Sequence, residues 1–464
     1  MKSLFILCGL GIFGMMSEIF KFKRILYPTI LIGLLASYLA IFTEWNNNFN
    51  FTQFNNMIRF DNVALAFSGV ILAVSFFWFI MSKDYLKDET TTVDLSVLIL
   101  FALVGALMLT SFSNMTTLFL GVEILSIPLY VLAASRKKDT ASNEAGFKYL
   151  IMGSFASGFL LFGIALVYGA TGTFDLLQMR AQISTLGVSG LPPYFYVGVI
   201  LILIAMGFKV SVAPFHFWAP DVYDGSPTVI TAFMSTVVKT AAFAAFMRLF
   251  LVGFSGVNTT WSSLMAIMIA LSLVIANFTA ATQNSVKRML AYSSISHAAF
   301  MLMGILAINN QMSVQAILYY TLAYSIGSIS AFTVLNAVSK NGDVRFEAFH
   351  GLGKRNPLLA VCMVVSVLSL AGIPLTSGFF AKYYVFTSLI SSNYKWLLIL
   401  AVLTSAVGVY YYFKVIIAMY FKNTNNEEPL VLENSGKFVL LLSTLLTILL
   451  GLIPGYVIEM FSNA

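Results

Sequence analysis

The chain alternates between long apolar runs and short polar stretches. A helix needs about 20 residues to cross about 30 Å of hydrocarbon, and runs of that length recur along the whole sequence. They are centred near residues 11, 34, 72, 101, 124, 158, 206, 240, 270, 298, 326, 373, 408 and 448. The pattern predicts about fourteen transmembrane helices. The turn-rich residues 172–193 predict a short helix at the membrane surface between the sixth and seventh.

Composition supports an all-α polytopic membrane protein. Of the 464 residues, 59% are hydrophobic and 10% are charged, and the mean hydropathy is +0.89, whereas soluble domains carry about 25% charged residues. No run of Lys and Arg is interleaved with aromatic residues as in a nucleic-acid groove, so no nucleic-acid partner is indicated. Cys8 and Cys362 lie in apolar runs without CxxC spacing, which argues against a disulfide framework or a metal knuckle.

Basic residues are divided unevenly between the two sides of the predicted bundle. The loops after odd-numbered helices hold 16 Lys and Arg, and the opposite side holds five. Because basic loops stay in the cytoplasm, both termini are predicted on the outer, periplasmic side. The tryptophans are predicted at span ends, where amphipathic rings favour the headgroup level; they are Trp45, Trp78, Trp218, Trp261 and Trp396.

Several charges fall deep inside the predicted spans. Glu123, Lys209, Lys239 and Lys382 lie near mid-span, where a charge costs roughly 2.5 to 3.5 kcal/mol and is normally turned inward and paired or functional. They are too deep to reach the headgroups by snorkelling. We therefore favour a functional role for these four, the alternative being a buried ion pair that only fixes helix packing.

Other polar residues within spans leave both interpretations open. Lys148 lies four residues after Glu144 and is explained either by a local pair or by function. Lys414 lies within partial snorkelling range of its span end, which favours a structural role. His297 is either a hydrogen-bonded core residue or a proton relay. His216 is predicted near the cytoplasmic end of its helix, without an assigned role.

Prolines interrupt the seventh and twelfth predicted helices. Pro214 and Pro374 lie inside apolar runs, and proline removes a backbone donor and clashes with the preceding turn. Interrupted helices in corresponding positions of two halves are typical of transport sites in inverted repeats. We therefore expect helices 7 and 12 to be discontinuous.

The interruptions suggest a division of the chain into repeats. If helices 4–8 and 9–13 are two five-helix units, the odd number of helices inverts the second unit in the membrane, which suits alternating access. The predicted regions are 1–90 with helices 1–3, 91–255 with the first repeat, 256–422 with the inverted repeat, and 423–464 with helix 14.

The polar residues at mid-depth suit proton transfer better than bond-making chemistry. No phosphate loop, Ser/His/Asp set or metal-ligand spacing is present in the sequence. Burial and a nearby carboxylate act on a lysine in opposite senses, so a Lys with a movable Glu partner can take up and release a proton. Driving a proton against about 150 mV costs roughly 3.5 kcal/mol. This free energy corresponds to a pKa shift of about 2.6, which is within the range of shifts found for buried groups.

The chain resembles the antiporter-like membrane subunits of respiratory complex I, the NADH-quinone oxidoreductase of bacteria. The resemblance lies in GVEILSIPLYVL, KVSVAPFHFWAPDVYDGSPT, MSTVVKTAAFAAF, VKRMLAYSSISHAAFMLMG and LAGIPLTSGFFAKYYVF. Within that family, the middle member usually carries a glutamate where this chain has Lys382. The distal member has a long lateral helix, whereas this sequence ends soon after the fourteenth run.

The resemblance implies a fourteen-helix subunit with one proton path in the membrane arm. It implies that Glu123 is the carboxylate of helix 5, Lys209 its partner on helix 7, Lys239 the connecting lysine, Lys382 the lysine facing the exit, and Lys148 a further helix-6 lysine. NADH, FMN, iron-sulfur clusters and quinone are then expected in partner subunits, and none of these cofactors in this one. The partners would be other membrane-arm subunits, including neighbouring antiporter-like ones, in the bacterial inner membrane.

Two other functions remain open at this point. A subunit of a multisubunit cation/proton antiporter would share the same ancestry. A non-transporting scaffold subunit would use the buried charges only to anchor helices.

Overall fold

The computed structural model describes residues 1–46, 52–86, 92–307, 312–339, 344–390, 392–423, 430 and 432–462. Lys87 and Lys340, which contribute to the predicted cytoplasmic loops, and the predicted boundary between residues 90 and 91 lie outside this part of the chain.

The first part of the chain forms seven helices and a β-hairpin whose two strands have two residues each. The elements are α1 (Lys2–Ile19), α2 (Lys23–Glu44), β1 (Thr52–Gln53), β2 (Ile58–Arg59), α3 (Asn62–Met81), α4 (Thr92–Ser111), α5 (Met115–Ala133), α6 (Thr140–Thr171) and α7 (Leu176–Gly190). Helix α7 is the short connecting helix predicted between the sixth and seventh runs, and its prediction is confirmed.

The middle part contains the first interrupted helix and the most deeply buried one. The elements are α8 (Pro193–Lys209), α9 (Trp218–Gly225), α10 (Thr228–Phe233), α11 (Lys239–Met247), α12 (Asn258–Thr282), α13 (Val286–Leu306) and α14 (Ser313–Val338). Two π-helical segments, Met234–Val238 and Arg248–Gly253, make α10 and α11 one continuous rod.

The last part contains the second interrupted helix. The elements are α15 (Leu352–Arg355), α16 (Pro357–Ala371), α17 (Ser377–Leu389), α18 (Lys395–Phe421), α19 (Asn434–Leu452) and α20 (Pro454–Ser462). Within the described residues, twelve helical stretches are long and apolar enough to cross a membrane, and α8 and α16 are shorter apolar helices. The all-α membrane fold is confirmed, while the count of fourteen and the inverted repeats stay predictions.

Side chains at helix starts explain several helix boundaries. Asp61, Asn114, Asp139, Asp175 and Ser285 each accept a hydrogen bond from a backbone N–H of the following first turn. These caps satisfy donors that the helix itself leaves unpaired. Sequence thus sets where α3, α5, α6, α7 and α13 begin.

Two short backbone bridges tie the loops at the ends of the bundle. Asn114 pairs with Asp175, and Ser285 pairs with Arg345. Asn114 caps α5, the second helix of the first proposed five-helix unit, and Asp175 lies between the third and fourth helices of that unit. Ser285 and Arg345 occupy the same two positions in the second proposed unit. This correspondence supports two related copies.

Burial identifies the centre of the bundle. The rod Thr228–Gly253 is buried except at Leu251 and Val252, and α13 except at Arg288 and Tyr292, whereas only a minority of the residues of α1, α6 and α18 are buried. The central helices carry Lys239 and His297, and the outer ones present apolar side chains at the surface, as a bundle surrounded by lipid requires.

Trp78 and Trp261 lie within one turn of the ends of α3 and α12, as predicted, but the expected headgroup location is wrong for three of the five rings. Trp78, Trp218 and Trp261 are buried, because each indole N–H finds a carbonyl inside the protein: Trp78 donates to Val229 O at 2.6 Å and Trp261 to Phe254 O at 3.0 Å. Such rings pack helices together and do not lie among headgroups.

Candidate functional site

The first group of polar residues joins α5, α6 and α8. Ser157 Oγ donates a hydrogen bond to Glu123 Oε1. One turn along α5, Ser126 Oγ accepts a hydrogen bond of 2.5 Å from Lys209 Nζ. Lys209 is 7% exposed and close enough to Glu123 for electrostatic interaction. The predicted Glu–Lys pair is thus brought together, with serines as the direct hydrogen-bond partners of both charges.

A small gap adjoins this pair. It measures about 20 Å³ and is lined by Ser126, Ser157, Tyr130 and Lys209 among others. A polar gap of this size holds about one water molecule. A water bridging these hydroxyls and the ammonium would complete a proton path between Glu123 and Lys209.

The first helix interruption surrounds Pro214. Helix α8 ends before it and α9 begins after it, so the predicted break is confirmed. The backbone groups freed by the break are satisfied within the protein: Ala213 N donates to Ser272 Oγ at 2.8 Å, and Trp218 Nε1 donates to Phe208 O at 3.0 Å. Irregular backbone at membrane depth persists when it is partnered in this way.

His216 lies in this interruption, and its predicted position near the cytoplasmic end of the helix is wrong. The chain resumes helical structure at Trp218 and continues to Gly225. The His216 ring is buried and packs against Phe217, with ring centroids 4.4 Å apart. The difference arises because Trp218 stacks on Tyr149 and so begins a second half-helix.

A charge cluster holds this second half-helix in place. Asp221 of α9 pairs with Lys148 of α6 at 2.9 Å and with Arg288 of α13 at 2.8 Å. Lys148 also pairs with Glu144 at 2.6 Å, which confirms the local pair expected for it. Asp221 therefore connects α6 of the first proposed repeat to α13 of the second.

Lys287 fixes the other end of α9. It is one of the 16 basic residues of the predicted cytoplasmic loops, but it is 3% exposed and belongs to the first turn of α13. Its Nζ donates to Asp224 O at 2.7 Å and also to Ser226 O. Cations favour the carbonyl end of a helix, so Lys287 caps α9.

Lys239 occupies the centre of the bundle. It lies where a π-helical segment gives way to α11, a local irregularity frequent at functional sites. The side chain is 1% exposed, and its Nζ donates to Ser294 O at 2.6 Å and to Ser294 Oγ at 3.0 Å. Among the described residues, no carboxylate bonds to it.

His297 lies on α13, one turn after Ser294. Its Nδ1 is 2.8 Å from Tyr320 Oη, its Nε2 is 3.2 Å from Tyr412 Oη, and the ring is 5% exposed. The ring interacts electrostatically with both Lys239 and Lys382. Along α13, His297 thus lies three residues after Ser294, which binds Lys239, and three residues before Phe300, whose ring faces Lys382.

Lys382 follows the second interruption, which surrounds Pro374 as predicted. Its Nζ donates to Ala371 O, the last carbonyl of α16, at 2.8 Å, and lies 4.9 Å from the Phe300 ring centre. Gly372 has φ +86°, a conformation that glycine adopts without steric cost, and a β-carbon there would lie 2.9 Å from Lys382 Cδ. The break therefore supplies both the carbonyl partner and the space for Lys382.

Lys414 differs from the other buried lysines. Its Nζ donates to Ala281 O at 3.0 Å and to Gln283 O at 3.3 Å, at the end of α12. Lys414 also lies 4.9 Å from the Phe346 ring centre. These contacts cap a helix end and support the structural role expected for it.

The arrangement forms two polar groups inside one bundle. The first contains Glu123 and Lys209, and the second contains Lys239, His297 and Lys382. Within the described part of the chain, no hydrogen bond joins Lys209 to Lys239, so transfer between the groups would require water. Sequence reasoning missed several partners, which are Ser126, Ser157, Asp221, Arg288, Tyr320 and Tyr412. The signal available in the sequence was helical spacing. Ser126, for example, lies three residues after Glu123 and therefore on the same face of α5.

A family model and several known proteins resemble the chain over most of its length. The family described as NADH:quinone oxidoreductase/Mrp antiporter, TM matches residues 112–408. NADH-quinone oxidoreductase subunit N of Cytophaga hutchinsonii is 44% identical, with 100% of both chains covered. A chain of respiratory complex I from Thermus thermophilus is 32% identical with a TM-score of 0.84, with 98% of each chain covered.

A second solved structure has the same fold. A chain of the membrane-bound sulfane sulfur reductase, an archaeal respiratory membrane complex, is 26% identical with a TM-score of 0.87. The alignment covers 100% of the present chain and 97% of that one.

Proposed function

The chain belongs to the NADH:quinone oxidoreductase/Mrp antiporter transmembrane family, and on this basis we propose that it is a proton-translocating subunit of a bacterial NADH-quinone oxidoreductase, of the subunit N type. It works in the membrane arm beside other membrane subunits. Electron transfer from NADH to quinone takes place in partner subunits, and this chain carries no redox centre of its own.

The observation that carries the proposed proton route is the position of His297. It is hydrogen-bonded on both sides and interacts with Lys239 and Lys382. A neutral imidazole accepts a proton at one ring nitrogen and releases one from the other. His297 is thereby suited to pass protons between the central lysine and the lysine of the second broken helix.

The proposed route begins at Glu123 and Lys209 and ends at Lys382. Separation of Glu123 from Lys209 lowers the electrostatic support for the Lys209 ammonium and releases its proton toward Lys239. Lys148 takes no direct part in this route, because its ammonium is held by two carboxylates. It supports α9 instead. Pro214 and Pro374 create the interruptions that admit Lys209 and Lys382 to the interior.

The inverted repeats are part of this proposal. Their support is the matching pair of loop bridges and the two interrupted helices. Glu123 lies nine positions after Asn114, which caps α5. Ser294 likewise lies nine positions after Ser285, which caps α13. The hydroxyl that binds Lys239 thus corresponds to the carboxylate paired with Lys209.

The alternatives are separated by partners and by transport. Purification of the tagged chain with NADH dehydrogenase subunits supports the proposal, whereas purification with antiporter partners supports a cation/proton antiporter. In the scaffold alternative, Lys239 and Lys382 variants assemble poorly but pump normally once assembled. Both termini on the periplasmic side remain part of the proposal, and labelling of introduced terminal cysteines from outside tests it.

A further inference from the structure

An open cavity of about 640 Å³ lies where the loop before α16 meets the end of α18. Its lining includes Lys354 and Arg355 of α15 and Lys422, one residue beyond α18. Both lysines are exposed. No residue of the proposed proton route is among the described residues that line the cavity.

The two lysines of this cavity have no charged partner among the residues that the structure describes. No described lining residue is acidic, and neither Lys354 nor Lys422 forms an ion pair within the described part of the chain. Glu427 and Glu428 follow in the sequence but lie outside the described residues. An anion of matching size would therefore meet three cations on entering the cavity.

The cavity lies at the depth where α18 leaves the bilayer. Tyr420 and Phe421, at the end of the helix, are 44% and 77% exposed. A β-carbon on Gly353 would lie 2.7 Å from the Tyr420 ring, so glycine allows the loop to pack directly on this aromatic residue. From Tyr420, exposed apolar side chains continue along α18 at Ile417 and Phe413, whose spacing of three and four residues places them on one face.

We propose that this cavity binds the headgroup of an anionic phospholipid. The phosphodiester lies against Lys354, Arg355 and Lys422, and the acyl chains follow the exposed apolar face of α18. Basic pockets on the cytoplasmic side of a bundle favour anionic lipids over zwitterionic ones, and positive charge places this end of α18 on the predicted cytoplasmic side. The adjoining apolar face distinguishes a lipid from free phosphate, which would use the cations alone.

The test uses membranes of cells that express the tagged full chain, so it does not depend on the identity of the surrounding complex. Photoactivatable phosphatidylglycerol is added, and cross-linked peptides of the purified chain are identified by mass spectrometry. We expect cross-links in the segments that contain Lys354 and Lys422. The double variant K354Q/K422Q should reduce them by about 5-fold to 25-fold, since each cation near an anionic surface contributes about fivefold.

Lys395→Gln is the matched control, because Lys395 is an exposed lysine at the opposite end of α18. It should leave the cross-links at these segments unchanged. Arg355 is retained because it makes a further interaction. If the double variant does not accumulate in the membrane, K422Q and the charge-retaining K422R are compared in its place, and only K422R should retain the wild-type yield.

Three results would overturn the proposal. The first is an undiminished yield of cross-links in the double variant, or in K422Q. The second is equal cross-linking by photoactivatable phosphatidylcholine. The third is loss of the cross-links in millimolar inorganic phosphate at constant ionic strength, which would identify a phosphate site in place of a lipid site.

Discussion

Replacement of Lys239 by methionine separates a transport role from a packing role. The Lys239 ammonium is almost completely buried and is held only by the carbonyl and hydroxyl oxygens of Ser294 among the described residues. Methionine has a similar length and no charge. It therefore removes the proton carrier while preserving most of the packing.

The effect on stability is small because two opposing contributions are removed together. The substitution loses two hydrogen bonds from a charged donor, about 1.5 to 3 kcal/mol each. It also removes the desolvation penalty of a buried ion, which is several kcal/mol. Ser294 Oγ keeps its bond of 2.7 Å to Ala291 O, so no hydroxyl is left unpaired. We expect a net change within about 2 kcal/mol and near-normal assembly.

Proton transfer should respond strongly. Loss of a positioned proton carrier typically costs 10²-fold to 10⁴-fold, so transfer through this chain should fall by roughly 10²-fold or more. The assay compares the amount of assembled complex with protons translocated per NADH oxidised in proteoliposomes. Lys414→Met is the matched control, since Lys414 caps α12 and should leave pumping per NADH unchanged.

The reasoning about Lys239 would be refuted by a K239M complex that pumps at the wild-type ratio and rate. Loss of assembly with normal pumping by the surviving complex would support a scaffold role instead. Equal loss of pumping in K239M and K414M would show that any lysine removed from the bundle disturbs transport, and would remove the distinction between the two.

Three further predictions concern the surroundings of the charged residues. Ser157→Ala removes the donor to the helix-5 carboxylate, about 1.5 to 3 kcal/mol, and should slow pumping roughly tenfold or more; an unchanged rate contradicts this. Gly372→Ala should lower the thermal unfolding midpoint, because a positive φ costs alanine about 1 to 2 kcal/mol and its β-carbon meets Lys382. Asp221→Asn removes the carboxylate that pairs with Lys148 and Arg288 at a partly exposed site, while Arg288 keeps Asp224 at 3.7 Å, so the loss of about 1 kcal/mol or less should shrink in high salt, as unfolding at two ionic strengths will measure.

The membrane fold and the helix interruptions follow from local chemistry, and sequence alone predicted them. Apolar runs of sufficient length form spanning helices wherever they occur. Pro214 and Pro374 lie in the helix interruptions and lack the backbone donor that a continuous helix would use, although Pro28 and Pro128 lie inside continuous helices. The caps at Asn114 and Ser285 act within one turn and are equally local.

The positions that sequence misjudged depend on distant contacts. His216 lies in the break because Trp218 finds Phe208 and Tyr149 and starts a new half-helix. Lys287 was counted as a loop residue, yet it is buried because α9 presents its carbonyls nearby. No periodicity along one helix contains that information.

His297 received a secondary place in the sequence interpretation for the same reason. Its partners Tyr320 and Tyr412 are 23 and 115 residues away. Only the assembled bundle shows that Lys239 and Lys382 contact α13 at Ser294 and Phe300, one turn on either side of His297. The deep charges and their order were expected from the sequence, but the serine and tyrosine hydroxyls that bind Glu123, Lys209, Lys239 and His297 were not.

The central claim is that protons cross the membrane through this chain by way of Glu123 and Lys209. It is tested most directly by the number of protons translocated per NADH oxidised in proteoliposomes of the purified complex, with Glu123→Gln and Lys209→Met measured beside the wild type. We predict a lower ratio in both variants, with NADH oxidation by the partner subunits retained when the proton gradient is collapsed by an uncoupler. Wild-type ratios and turnover in both variants would contradict the claim.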